Sequence, residues 1–140
     1  MEILQVNKAR TKEELETVFA IRNQIFAGEQ GSPAAMESSD DNDAVHYIAL
    51  MDNNPCGACR WRKTEDGYKL EQFAVLPEFR NKRVGQALLA AALADIPQNS
   101  ELIYLNAQAD AVGLYARFGF AIEGDLFEED GIQQYRMVKV

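Results

Sequence analysis

The spacing of apolar residues along the chain changes several times, and each change marks an element. Residues 3–6 form a short apolar run that predicts a first strand. From Thr11 the spacing lengthens: Leu15, Val18, Phe19, Ile25 and Phe26 recur as one helix stripe, and Thr11 with Glu14 supplies the S/T-x-x-E pattern of a capping box. Residues 28–43 are polar and hold Pro33, which predicts a loop with room for a short helix. A strand follows over 46–51, then the turn Asp52-Asn53-Asn54-Pro55. Strands over 56–64 and 68–76 meet at Asp66-Gly67, a dipeptide that accepts the positive φ of a hairpin. After Pro77 the period lengthens again, and Val84, Leu88 and Ala91 lie on one face of a helix that must end before Pro97. A strand over 102–106, a helix over 109–117 stopped by Gly119, and strands over 120–127 and 133–140 joined at Asp130-Gly131 complete the chain.

This order describes an α/β domain spanning residues 1–140, with hairpins first, parallel crossovers in the middle and a hairpin at the end. Composition supports a folded core: 47% of the 140 residues are hydrophobic and 26% charged. The 22 acidic and 14 basic side chains give a net charge of −8, which opposes binding to nucleic acid or to an anionic membrane. No apolar run is long enough to span a bilayer, and the start MEILQVNKAR lacks a basic region followed by an apolar one, so the expected location is cytoplasmic. Cys56 and Cys59 have C-x-x-C spacing. Zinc would need further ligands, and only His46 is at hand. Strand alternation places the two thiols on opposite faces, which excludes a thioredoxin-type pair. The acidic run 37–43 lacks EF-hand spacing, so no metal is expected.

The segment richest in chemistry is Val75 to Ala87, which passes from a strand through a basic turn into a helix. N–H groups at a helix start lack acceptors and sit at the positive end of the macrodipole, so they favour an anion. Arg80, Lys82 and Arg83 add positive charge there, and Gly85 with the small Ala87 allows close approach of a phosphate. A Walker loop and a Rossmann turn are both absent. The segment reads as a pyrophosphate cradle or, alternatively, as a solvated helix cap.

Leu70-Glu71-Gln72-Phe73-Ala74-Val75 followed by Leu76-Pro77-Glu78-Phe79-Arg80 and this turn resembles motif A of the GNAT superfamily of acetyl-CoA-dependent N-acetyltransferases. Leu105-Asn106-Ala107-Gln108, the Leu114-Tyr115-Ala116-Arg117-Phe118-Gly119-Phe120 run and Gly57-Ala58-Cys59-Arg60 are similar to further motifs of that superfamily, in the same order. The segment from Phe26 to Gln30, then Pro33, Glu37, Asp40, Asp43 and His46, and residues 127–132 resemble its small bacterial ElaA-like and YjcF-like branch. The resemblance implies a mixed, mostly antiparallel sheet of six to seven strands with a central parallel βαβ crossover and about four helices. It departs from the family at two places. Arg83 stands where the turn usually has its first glycine; with a negative φ there, its N–H would stay available to phosphate while its guanidinium adds charge. Gln133-Gln134 replaces the usual Pro-His, so no role passes to that histidine.

The resemblance further implies direct attack of a primary amine on the acetyl-CoA thioester in a ternary complex, without a metal. Acetyl-CoA would lie against Phe73, Ala74 and Val75, with Asn106 and Gln108 opposite and its pyrophosphate on Arg80, Asn81, Lys82, Arg83, Val84, Gly85, Gln86 and Ala87. Tyr115 is the expected general acid for the departing thiolate. Glu71, which alternation places on the same face as Phe73 and Val75, is a candidate base or a substrate clamp. Glu29, Gln30 and His46 are the expected acceptor contacts, with the acidic loop rimming the pocket. Two other readings stand beside this one. An amino-sugar phosphate acetyltransferase would use Arg60 and Arg62 as a second cationic patch, and a non-catalytic acyl-CoA-binding module would release no thiol. A homodimer accords with the family, and no residue decides it. The acidic surface steers the acceptor expectation toward a small cation.

Overall fold

The computed structural model describes residues 2–29, 39–129 and 131–140. The strands are β1 (Leu4–Ala9), β2 (Val45–Met51), β3 (Asn54–Thr64), β4 (Gly67–Val75), β5 (Ile103–Gln108), β6 (Phe120–Ile122), β7 (Phe127–Glu129) and β8 (Ile132–Lys139). The α-helices among the described residues are α1 (Lys12–Arg22), α2 (Val84–Asp95) and α3 (Val112–Ala116). All the strands join one sheet in the order β1-β2-β3-β4-β5-β8-β6, with β7 also on β8. Within it β4 and β5 are the parallel pair, joined through α2, and every other pairing is antiparallel.

The second expected crossover takes a modified form. β5, α3 and β6 follow in sequence, but β8 inserts antiparallel between β5 and β6. The expected strand over 120–127 is divided into β6 and β7, which pair with successive stretches of β8. Gly124, at φ +84°, lies in the break between them.

Local chemistry sets the helix bounds. Glu14 N–H donates to Thr11 Oγ1 at 3.1 Å while Thr11 N–H donates to Glu14 Oε1 at 3.0 Å, closing the capping box at the start of α1. α1 then runs on into a π-helical segment, Asn23–Glu29, that carries Ile25 and Phe26. α2 ends at Asp95, ahead of Pro97. Val18, Ile21 and Ile25 bury against Ile48, Ala58 and Ala74 on one face of the sheet. Leu88, Leu89 and Ala92 of α2 bury against Tyr47, Cys59 and Leu70 on the other. Gly57 permits that second packing, because a Cβ there would stand 2.9 Å from Val84 Cγ1 and 3.1 Å from the Ala74 carbonyl oxygen.

Two irregularities in the ladder change which way side chains point. The β2–β3 register shifts between Ala49 and Leu50, and Cys56 falls at the extra position. Cys56 and Cys59 therefore join the same buried cluster, contrary to the alternation expected from sequence. Their chemistry remains inert: both thiols are free and buried, and burial pushes both pKa values up. The second shift lies between Ala58 and Arg60, opposite Gln72 of β4, whose backbone adopts φ +61°. This bulge shapes the candidate site.

Candidate active site

β4 and β5 pair at Tyr68–Ile103, Lys69–Tyr104 and Leu70–Leu105, and then separate. β5 continues with β8 through Asn106, Ala107 and Gln108, while β4 continues with β3. The Gln72 bulge turns β4 aside at the fork, because an extra residue on one strand bends it and raises its local twist. A cleft of about 520 Å³ opens between the two strands, lined on the β4 side by Glu71 through Val75 and on the β5 side by Asn106 and Gln108. The backbone edge of β4 facing it has no strand partner among the described residues.

One end of the cleft meets the start of α2. The first backbone bond of that helix, Ala87 N–H to the Arg83 carbonyl at 3.1 Å, leaves the N–H groups of Val84, Gly85 and Gln86 without helical acceptors. No side chain caps this end. Gly85 and Arg80 line the cleft, and Arg80 Nε donates to the Val75 carbonyl at 3.3 Å, tying the basic turn to the end of β4. Arg83 does not keep the negative φ that its side chain favours: it is left-handed, at φ 67° and ψ 21°, and Asn81 is left-handed at φ 63°. The turn needs a glycine-like conformation and takes it from an arginine, at a cost of about 1–2 kcal/mol. Asn81, Lys82 and Arg83 are exposed beside the cleft and are not among its lining residues; Lys82 Nζ pairs with Glu2 at 2.9 Å. The Val84 side chain is buried beneath, packed in the core.

Tyr115 on α3 is 7% exposed and lines the same cleft. Its ring packs edge-on against Phe73 at 5.8 Å and Phe120 at 6.4 Å, which fixes its direction. Burial, with the nearby Cys59, pushes its pKa above the ordinary phenol value, so the hydroxyl carries its proton at neutral pH.

Glu71 also lines the cleft, but on the other face from Phe73 and Val75. Across the ladder it pairs with Arg60, and the bulge after it reverses the alternation, so Phe73 and Val75 pack on the α2 side while Ala74 packs under α1. Its Oε1 accepts from Arg60 Nε at 3.0 Å, from Arg60 Nη2 at 2.7 Å and from Arg62 Nε, and Lys69 Nζ stands 3.3 Å from Oε2. Burial opposes ionisation, but the Arg62 hydrogen bond and the charges of Arg60, Lys69 and Arg62 outweigh it and hold the carboxyl below its usual range. Glu71 is thus a permanent carboxylate, poorly suited to take a proton near neutrality.

The expected acceptor contacts fare differently. His46 is 4% exposed and does not line the cleft; Phe19 packs edge-on against it at 5.7 Å, and its Nε2 lies 3.0 Å from the Asp41 carbonyl oxygen. Burial, the leading cause, lowers its pKa. Asp41, expected on an acidic rim, is instead 7% exposed and accepts from Arg22 Nη1 at 2.8 Å and from Arg60 Nη1. A fold-internal network therefore engages Arg60 and Arg62, the proposed second cationic patch. Gln30 lies outside the described residues, as does the side chain of Glu29. Sequence reasoning missed Lys69, Asp110, Glu129 and Gln134 as lining residues, and placed Ile25 and Phe26 only in a core stripe. The resemblance of the segment from Phe26 to Gln30 was the available signal for the last.

Comparison with known proteins places the chain that folds around this cleft in a family. Residues 7–140 fit the model of the acetyltransferase (GNAT) domain. The chain belongs to the GNAT family. The uncharacterized N-acetyltransferase YjcF of Bacillus subtilis (strain 168) is 34% identical to this GNAT chain over 137 residues, covering 94% of it and 96% of YjcF. The crystal structure of Escherichia coli ElaA shares its fold over the full length of both chains, with a TM-score of 0.84 at 24% identity. Arabidopsis thaliana Naa50, solved in complex with the bisubstrate analogue CoA-Ac-MVNAL, superposes with a TM-score of 0.73 at 22% identity over 98% of each chain. The GNAT chain is an acyltransferase of the ElaA-like and YjcF-like branch, and acetyltransferases with this fold use acetyl-CoA.

Proposed function

We propose that the chain moves the acetyl group of acetyl-CoA to a primary amine of a small molecule, by direct attack with both substrates held in the cleft. The observation that carries this reading is the fork between β4 and β5, which leads a β4 edge without a strand partner among the described residues onto the start of α2. Three open N–H groups, Gly85 and Arg80 suit a pyrophosphate, and Asn81, Lys82, Arg83, Gln86 and Ala87 flank it. The edge of β4 around Phe73, Ala74 and Val75 offers the amide groups of a pantetheine arm the hydrogen bonds of an added strand, with Asn106 and Gln108 across the gap.

In the transfer step the amine nitrogen forms a bond to the thioester carbon and the carbon–sulfur bond breaks. A backbone N–H near Ala74 or Val75 stabilises the charge on the thioester oxygen, an effect of about 3 kcal/mol for one such donor. Tyr115, held protonated by burial, gives its proton to the departing thiolate and regains one from water. Glu71 anchors the ammonium form of the acceptor through Oε2, which it shares with Lys69 at 3.3 Å, Oε1 being taken by Arg60 and Arg62. The ammonium loses one proton to water at the open mouth before attack, so its own basicity governs the rise of rate with pH, and the attacking nitrogen gives its second proton to water as the amide forms.

Thiol release measured at saturating acetyl-CoA against polyamines, amino sugars, aminoglycosides, alkylamines and peptide N-termini tests the reading. Release with at least one amine, with the acetylated product seen by mass spectrometry, is expected. Binding of acetyl-CoA without release for any amine would leave only a non-catalytic acyl-CoA-binding module. Tyr115→Phe should lower kcat about tenfold or more with the KM for acetyl-CoA unchanged; an unaltered kcat removes Tyr115 from the step.

A further inference from the structure

Part of the cleft lining comes from apolar residues that the transfer step does not use. Ile25 and Phe26 come from the π-helical segment that extends α1, and Ile132 opens β8. π-helical winding is rare and concentrates at functional sites. Phe26 and Ile132 are half-buried, so they present carbon surface to the cleft instead of disappearing into the core. Charged side chains share the lining with these apolar ones. Glu71 keeps Oε2 with Lys69 as its neighbour at 3.3 Å, and Glu129 is exposed at the mouth.

These features discriminate among amines. A phosphorylated amino sugar needs an available cation, and Arg60, Arg62 and Lys69 are all engaged by Glu71. A polyamine carries a second ammonium a few carbons from the first, which gains nothing from Phe26 or Ile132 and is desolvated wherever it lies against them. An amine on a hydrophobic skeleton satisfies both halves at once, with its ammonium on Glu71 and its carbon body on the apolar wall. Resting on the transfer reading above, we propose that the acceptor is a primary monoamine carried on an aliphatic or aromatic skeleton, selected by Phe26 and Ile132.

The test compares kcat/KM for 2-phenylethylamine, hexylamine, spermidine and glucosamine 6-phosphate at saturating acetyl-CoA. The two apolar amines should exceed the other two by about tenfold or more, the scale on which a few methylene contacts discriminate. Phe26→Ala and Ile132→Ala should each lower kcat/KM for 2-phenylethylamine by about tenfold while leaving spermidine and the KM for acetyl-CoA within about twofold, and Phe26→Leu should retain most of the preference. Thermal melts identify a variant that has simply lost its fold, and the two positions lie on separate elements. Preference for spermidine or the sugar phosphate, or variants that depress every acceptor equally, overturns the proposal while acetyl transfer stands. Silence with every amine, while acetyl-CoA still binds, overturns the transfer reading itself and this one with it.

Discussion

Replacing Glu71 with Gln separates two roles that a carboxylate at the fork can play. The substitution preserves shape and removes the charge. A hydrogen bond between an ammonium and a carboxylate contributes about 1.5–3 kcal/mol. Three donors already share Oε1, and the side chain is 13% exposed, so the lower half of that range applies. At about 1.4 kcal/mol per decade, the KM for the amine should rise roughly 10- to 40-fold. The KM for acetyl-CoA should not move. The pH profile is the sharper readout: the Glu71 carboxyl is held below its usual range, so it stays ionised throughout the working range and its removal leaves the ascending limb in place. That limb should instead follow the basicity of the amine. Steady-state kinetics between pH 6 and pH 9, on two amines of different basicity, measure both quantities. Arg60 keeps Asp41 as a partner in the variant, and Arg62 and Lys69, at 23% and 22% side-chain exposure, reach water. The melting temperature should therefore fall by only a few degrees, at about 3 °C per kcal/mol. Loss of the ascending limb in Glu71→Gln would make Glu71 the base, and an unchanged amine KM would end its role as an anchor.

Arg83→Gly exchanges a left-handed arginine for the residue that best tolerates that backbone, so the relieved strain of about 1–2 kcal/mol, less the roughly 0.5–1 kcal/mol entropy cost of glycine, should leave the melting temperature equal or slightly higher. The KM for acetyl-CoA should rise several-fold from loss of the charge, and a melting temperature several degrees lower would contradict the strain argument. Asp41→Asn breaks pairs to Arg22 and Arg60, which are 1% and 3% exposed, and should destabilise the chain by about 3–5 kcal/mol. Glu101→Gln, at the exposed pair with Lys63, should change stability by less than about 1 kcal/mol; calorimetric melts showing the two variants alike would refute the contrast. Burial lowers the His46 pKa below the ordinary value of 6.5, so the unfolded chain binds the extra proton first: stability should hold above that pH and fall as pH drops below it. His46→Gln should flatten that dependence in urea titrations at pH 7 and pH 5.5, and an unchanged slope would place the titrating group elsewhere.

Features that depend on neighbours in sequence were readable in advance. Thr11 and Glu14 cap α1 through bonds three residues apart, a hairpin joins β3 to β4 although Glu65 and Asp66 make its turn one residue ahead of the expected Asp66-Gly67, and the Leu and Ala stripe of α2 ends just before Pro97. The strand–turn–helix order from Val75 to Ala87 is local in the same way, whereas the open start of α2 shows only in the backbone, where Arg83 makes no side-chain cap. Tyr115, Asn106 and Gln108 were placed by family pattern and do line the cleft.

Facing and partnership were another matter. Strand alternation predicts two thiols on opposite faces and Glu71 beside Phe73, and one extra residue at each bulge reverses both expectations. A bulge arises from the register between strands, so it follows from which chain segment lies alongside. Asp41 looked like surface acid until the fold brought Arg22 and Arg60, each 19 residues distant, against it. His46 was an expected acceptor contact, and Phe19 and the Asp41 segment close over it. The amino-acid sequence alone determined the order of elements, the family and the basic turn that leads into α2, all of which rest on local spacing. Tertiary structure alone decided where β4 leaves β5, which side chains meet at that fork and which charges are neutralised inside, because those depend on contacts between residues far apart in the chain and on the low dielectric that burial creates around them.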